Sequence, residues 1–143
     1  MMSHSSILLI DDSPGERELF RLALVQTGLD VTLSAEPDAE AAFHFMNNHS
    51  DLPSLILLDW NLGKQRGDEF LKRLRADTRL AGIPVVVFTT SDDASDLSLA
   101  YANGANGYVV KPGTFAELIQ CTTDICRYWL ERNRVPHMVG TPC

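Results

Sequence analysis

The sequence predicts an α/β fold, a doubly wound parallel sheet of five strands with helices on both faces. Two observations carry this. Five short runs rich in Ile, Leu and Val, around residues 7–10, 31–35, 55–58, 85–88 and 108–110, have the near-continuous apolarity of strands buried on both faces. Between them lie segments of helical periodicity, and strict alternation of the two kinds of element is the mark of a parallel sheet. At 143 residues the chain is about one domain, large enough to bury a core without metal or disulfide staples.

The elements follow in order. After the first run, Ser13-Pro14 reads as an N-cap followed by proline at the first helical position, and Gly28 closes a helix over 14–27. A second helix over 37–48 has Ala41, Ala42, Phe45 and Met46 as its apolar stripe. A third over 67–76 has Phe70, Leu71 and Leu74. A fourth over about 93–103 places Leu97, Ala100 and Tyr101 on one face, with Gly104 after its end. The fifth has the clearest pattern, running along one stripe from Phe115 through Leu118, Ile119, Thr122, Ile125 and Cys126 to Trp129 and Leu130. Residues 132–143, with Pro136 and Pro142, read as a tail too short for an output domain, which leaves one domain over 5–131.

Composition narrows the function classes. Twelve Lys and Arg against nineteen Asp and Glu give a net charge of -7 and no basic stripe, which disfavours nucleic acid as a partner. Cys121, Cys126 and Cys143 form an odd set without C-x-x-C spacing, so neither a disulfide framework nor a zinc site is indicated; a reducing cytoplasm is the expected location. The N-terminal apolar run is too short for a signal peptide or a membrane span. His4, His44, His49 and His137 have no metal-ligand spacing and read as solvated surface residues.

Four of the five apolar runs end on chemically capable residues: Asp11-Asp12, Asp59, Thr89-Thr90 and Lys111. In parallel strands joined by right-handed crossovers these endings meet at one edge, where open α/β sheets bind ligands. Adjacent acids facing a third repel by several kcal/mol at an effective dielectric of about 20, and Mg²⁺, which takes oxygen ligands and phosphate oxygens, relieves this. Asp59, followed by the polar exit Trp60-Asn61-Leu62-Gly63, is positioned to attack phosphorus and form an acyl phosphate. The Thr89 hydroxyl and the Lys111 ammonium can bind phosphoryl oxygens. Pro112 holds Lys111 extended, while the isomer of the Lys111–Pro112 bond is left open by sequence.

With these residues in place, the chain over about 5–130 resembles the receiver domain of two-component response regulators. The matching residues are Ile7-Leu8-Leu9-Ile10-Asp11-Asp12-Ser13, Leu57-Leu58-Asp59, Val87-Phe88-Thr89-Thr90, Gly104-Ala105 and Tyr108-Val109-Val110-Lys111-Pro112. The resemblance implies a flavodoxin-like sheet of strand order 2-1-3-4-5 and Asp59 as phosphoacceptor. It further implies Asp12 as a direct Mg²⁺ ligand, Asp11 as a water-mediated one, and Asn61 as the donor of a backbone carbonyl. Thr89 and Lys111 would bind the phosphoryl group, and Tyr108 takes the aromatic switch position, with a static, half-buried role as the alternative. Two departures stand out: Gly63 replaces the usual proline, and bulky Trp60 occupies a commonly aliphatic position, so the 60–66 loop is expected to be more mobile or differently shaped.

Thr89-Thr90-Ser91-Asp92-Asp93 and Tyr128-Trp129-Leu130 look like stand-alone receivers found beside bacterial phytochrome kinases. The expected partner is therefore a sensor histidine kinase, of phytochrome type by this likeness. Signalling is expected to proceed through phosphorylation-dependent contacts, including a homodimer across the fourth helix, fifth strand and fifth helix. Trp129 suits either that interface or the core. Only self-phosphorylation and self-dephosphorylation are expected as chemistry. Two other classes compete. An aspartyl-phosphate phosphatase needs a second acid two residues after the nucleophile, where this chain has Asn61. A degenerate receiver serving only as a binding module is opposed by the retention of Asp11, Asp12, Asp59, Thr89 and Lys111.

Overall fold

A computed structural model describes residues 5–136. Its elements are β1 (Ser6–Ile10), α1 (Pro14–Thr27), β2 (Thr32–Glu36), α2 (Ala39–Asn47), β3 (Leu55–Leu58), β4 (Asn61–Leu62), β5 (Gln65–Arg66), α3 (Gly67–Ala76), β6 (Val85–Thr89), α4 (Ala94–Ala102), β7 (Gly107–Val110) and α5 (Phe115–Cys126). A π-helical turn, Arg127–Arg132, continues α5. Five strands form one parallel sheet in the order β2-β1-β3-β6-β7. This is the expected 2-1-3-4-5 arrangement, since β4 and β5 pair only with each other.

The central strands β1, β3 and β6 are nearly all apolar because both their faces are covered. Ile7, Leu9, Leu55, Leu57, Val86 and Phe88 point to one side, against Phe20 and Leu24 of α1 and Ile125 and Cys126 of α5. Leu8, Ile10, Ile56, Leu58, Val85 and Val87 point to the other, against α2, α3 and α4. Alternate side chains leave a strand on opposite faces, so the residues of the central strands β1, β3 and β6 meet helices on both sides.

Local chemistry sets the helix starts. Ser13 accepts from the Glu16 N–H at 3.2 Å, and Asp38 does the same for Ala41 at 2.8 Å. Asp93 accepts from Ser95. Thr114 and Glu117 form a reciprocal pair in which the Glu117 N–H donates to the Thr114 hydroxyl, which in turn donates to the Glu117 carboxylate. Gly28 closes α1 with φ of 72°.

Three expectations about faces require correction. In α2 the buried aromatic is Phe43, while Phe45 is half-buried and stacks on His49. On α4 only Ala100 is buried, and Leu97 and Tyr101 face outward at 40% and 50% exposure. Phe115 of α5 is likewise exposed. Cys126 fills the core and Cys121 is half-buried against it, whereas Cys143 lies outside the described residues. His44 and His49 are exposed, and His4, His137 and the tail over 137–143 also lie outside the described residues. Among the described residues no helix is long and apolar enough to cross a membrane.

Candidate functional site

Backbone hydrogen bonds carry the sheet register one residue past the strands and so place the site. The Asp11 N–H donates to the Glu36 carbonyl, the Asp59 N–H to Ile10, and the Lys111 N–H to Thr89. Asp11 and Asp59 thus stand side by side at the carboxyl edge, with Lys111 on the far side of Thr89. Carboxylate oxygens of Asp11, Asp12 and Asp59 all lie within 4.8 Å of one another. Lys111 Nζ is 2.6 Å from Asp11 Oδ2 and 3.7 Å from Asp59 Oδ2. The Lys111–Pro112 bond is trans, as are all peptide bonds among the described residues.

The three acids are not equivalent. Asp11 is buried and both its oxygens are engaged, one by Lys111 and the other by the Ser13 N–H at 3.0 Å. Asp12 is exposed. Asp59 lies between these extremes, with the Asn61 N–H 3.5 Å from its Oδ1. Burial lifts the Asp59 carboxyl above its ordinary value; the Asp11 charge adds to this, while Lys111 and the Thr89 hydroxyl act against it. Burial pulls Lys111 down, but the hydrogen bond it donates to Asp11 and the charges of Asp59 and Asp11 outweigh it, so the ammonium is held above its ordinary value. The Asp59 shift comes chiefly from burial, and beside it three carboxylates set against Lys111 leave negative charge in excess.

That excess suits a divalent cation. The donor set is all oxygen, the choice of a hard cation such as Mg²⁺. Asp12 is free to ligate directly, and the Asn61 backbone lies beside Asp59. Because Lys111 and Ser13 occupy both oxygens of Asp11, that residue is suited to acting through water.

The 60–66 segment has a specific shape. Asn61 pairs with Arg66 and Leu62 with Gln65, around the two-residue turn Gly63-Lys64. Gly63 has φ of 65° and Lys64 does not share that conformation, the pattern of a II′ hairpin turn, for which glycine at the first central position is the sequence signal. Trp60 is fully buried, with its indole against Gly67: a Cβ there would come within 2.6 Å of Trp60 Cε3. The Trp60 indole N–H is the one buried side-chain donor without a partner among the described residues.

Thr89 is fully buried at the end of β6, and Tyr108 is half-buried on β7 with its hydroxyl donating to the Ser91 carbonyl at 2.9 Å. Sequence reasoning missed Ser91, which also donates through its hydroxyl to Asp96 at 2.7 Å. The two contacts tie the loop after β6 to Tyr108 and to α4. A cleft of about 210 Å³ opens beside Lys111 between α1 and α5, with Leu19, Phe20, Phe88, Phe115 and Leu118 among its walls.

A five-stranded parallel sheet with paired acids, an acid, a hydroxyl and an ammonium at successive strand ends defines a phosphoryl-handling class of α/β protein. Residues 7–123 match the response regulator receiver domain, and the chain belongs to that family. Receiver domains are signalling proteins phosphorylated by histidine kinases, and the family binds Mg²⁺ in an acidic pocket. Among relatives, the chain is 37% identical to the probable methanogenesis regulatory protein FilR2 of Methanothrix harundinacea, covering 91% of this chain and 86% of that protein. It is 34% identical to response regulator Rcp1 of Synechocystis, covering 91% and 92%, and the Mn²⁺-bound structure of Rcp1 superposes with a TM-score of 0.80. The phosphorylated cyanobacterial phytochrome response regulator RcpA gives a TM-score of 0.85 at 29% identity, covering 94% of this chain and all of that one.

Proposed function

We propose that this chain is a phosphorylation switch in which Asp59 accepts a phosphoryl group from a histidine kinase, with Mg²⁺ held by Asp12, Asp59 and the Asn61 carbonyl, and by Asp11 through water. The observation that carries this reading is the junction of three carboxylates with Lys111 at one sheet edge. In the transfer, an Asp59 oxygen attacks phosphorus as the donor's P–N bond to histidine breaks, giving an aspartyl phosphate and returning the imidazole. The cation would offset the charge shared by the carboxylate and the phosphoryl oxygens. Lys111 can turn from Asp11 toward a phosphoryl oxygen, and the buried Thr89 hydroxyl can donate to another.

The output is proposed to run through Thr89 and Tyr108. Movement of the Thr89 hydroxyl toward the phosphoryl group opens space on the Tyr108 side, and inward rotation of Tyr108 gives up its bond to Ser91. That would alter the surface formed by α4, β7 and α5, where Leu97, Tyr101 and Val110 are exposed and suited to a homodimer. Likeness to RcpA supports a kinase of phytochrome type. The domain is proposed to span 5–131.

The test is intact mass after incubation with acetyl phosphate and Mg²⁺. A gain of one phosphoryl group is expected in the parent protein and none in Asp59→Asn; no gain in the parent would overturn the reading. Sedimentation of both forms tests the dimer, which is excluded by a concentration-independent monomer in each.

A further inference from the structure

The opposite edge of the sheet, where the strands begin, carries a second concentration of charge. Arg75, near the end of α3, is partly buried and spends all five of its N–H donors on neutral oxygens. Its Nε and Nη2 reach the Gly104 carbonyl at 3.1 and 2.7 Å, Nη1 the carbonyls of Ala81 and Ile83 at 2.9 and 2.8 Å, and Nη2 also the Asn106 side-chain oxygen at 2.8 Å. Among the described residues no carboxylate pairs with it, and burial presses the guanidinium below its ordinary value.

Arg75 forms one wall of a groove of about 490 Å³, whose other side is built by Tyr128, Trp129, Asn133 and Arg134 at and beyond the π-helical turn. Among the described residues lining it there is no Asp or Glu. Its charge is one-sided. The carbonyls of Ala81, Ile83 and Gly104 are occupied by Arg75, and the Asn106 side-chain oxygen by Arg75 and the Val85 N–H. The charged side chains lining the groove are Arg75 and Arg134, both positive, with Asn106, Asn133 and Tyr128 adding neutral hydrogen-bonding groups. Beside these donors lie the edge-to-face Tyr128–Trp129 pair and exposed Val135.

A positively charged lining without Asp or Glu among its described residues, next to an aromatic and aliphatic wall, selects a ligand with carboxylates and apolar side chains. We propose that this groove docks an acidic, leucine- or aromatic-containing peptide segment of a partner protein, with Arg134 making the mobile contact to a carboxylate and Trp129 receiving the apolar side chain. The local contrast is sharp, since the groove is positive on a chain of net charge -7. The site lies at the far end of the sheet from Asp59, so this docking does not depend on the phosphoryl chemistry.

The test uses the full chain and a blocked hexapeptide of alternating Glu and Leu, followed by ¹⁵N-resolved NMR. Saturable shifts are expected in the Trp129 indole and Asn106 side-chain signals, weakening with salt and absent with the Lys-Leu counterpart. Arg134→Glu should weaken binding at least about tenfold, whereas Arg134→Lys should stay within about threefold. The proposal is overturned by unsaturable or absent shifts, by equal binding of the Lys peptide, or by indifference to Arg134→Glu. It is equally overturned if raising the protein concentration alone produces the same shifts, which would seat a second copy of this chain in the groove.

Discussion

The two ends of this sheet treat buried charge in opposite ways. At the carboxyl edge, three acids share one lysine, which leaves negative charge over, and the Asp59 carboxyl is raised by burial. At the other edge one guanidinium has every donor satisfied by neutral oxygens and joins the α3–β6 connection to the loop before β7. The first arrangement holds interactions in reserve for something that binds; the second spends its interactions on the fold. Removing charge should therefore stabilise one end and destabilise the other.

Arg75→Met should have the largest effect. It keeps the apolar stem but abandons five charge-assisted bonds, for a loss of about 3 kcal/mol read by urea denaturation, while uptake of phosphate on Asp59 persists. A loss near zero would mean that water replaces the guanidinium and the contrast fails.

Asp59→Asn should instead raise stability in metal-free buffer at neutral pH, by about 1.5 kcal/mol. The sign follows from the raised carboxyl. A folded-state value above the unfolded one means that Asp59 favours the fold while protonated. That contribution declines as pH rises from the unfolded value through the folded one. The advantage of Asp59→Asn should thus be absent below about pH 4, grow through that window and then level off. Lys111 works in the other sense: its raised value supports the fold through neutral pH and is lost only as pH climbs through it.

Magnesium sharpens the comparison. At ten times its dissociation constant it should stabilise the parent protein by about 1.4 kcal/mol, do little for Asp12→Asn, and leave the thermodynamic effect of Arg75→Met unchanged. Thermal melts with Mg²⁺ and with chelator give the readout. The smallest effect is expected from Gly63→Ala, about 1 kcal/mol, because the turn needs a positive φ while the added methyl meets only ordinary contact at 3.8 Å from Asp12. A neutral outcome in denaturation would show that the hairpin turn relaxes.

The candidate site was legible because its members terminate strands. Once Ile10, Leu58, Thr89 and Val110 are in register, the residues around and just beyond them have no freedom to be elsewhere. Helix boundaries were legible for a similar reason: Ser13, Asp38, Asp93 and Thr114 cap within three residues along the chain. The hairpin was half legible, since Gly63 signalled an unusual loop but the pairing of Asn61 with Arg66 needed the partner strand. Phe43 against Phe45 was not legible, because both are aromatic and the choice depends on where α2 meets Phe70. Nor was Arg75, whose partners lie 6 to 31 residues away.

By itself, then, the sequence determined the alternation of elements, the strand endings and the set of acids, hydroxyl and lysine, because each follows from local periodicity or from position at the end of a run. Only the tertiary structure decided that Lys111 rests on Asp11 rather than Asp59, that Gly67 makes room for Trp60, that Leu97 and Tyr101 face outward, and that Arg75 is a clamp. Those outcomes depend on distances between segments remote in sequence, and a side chain chooses among partners by which of them the packed helices bring within reach.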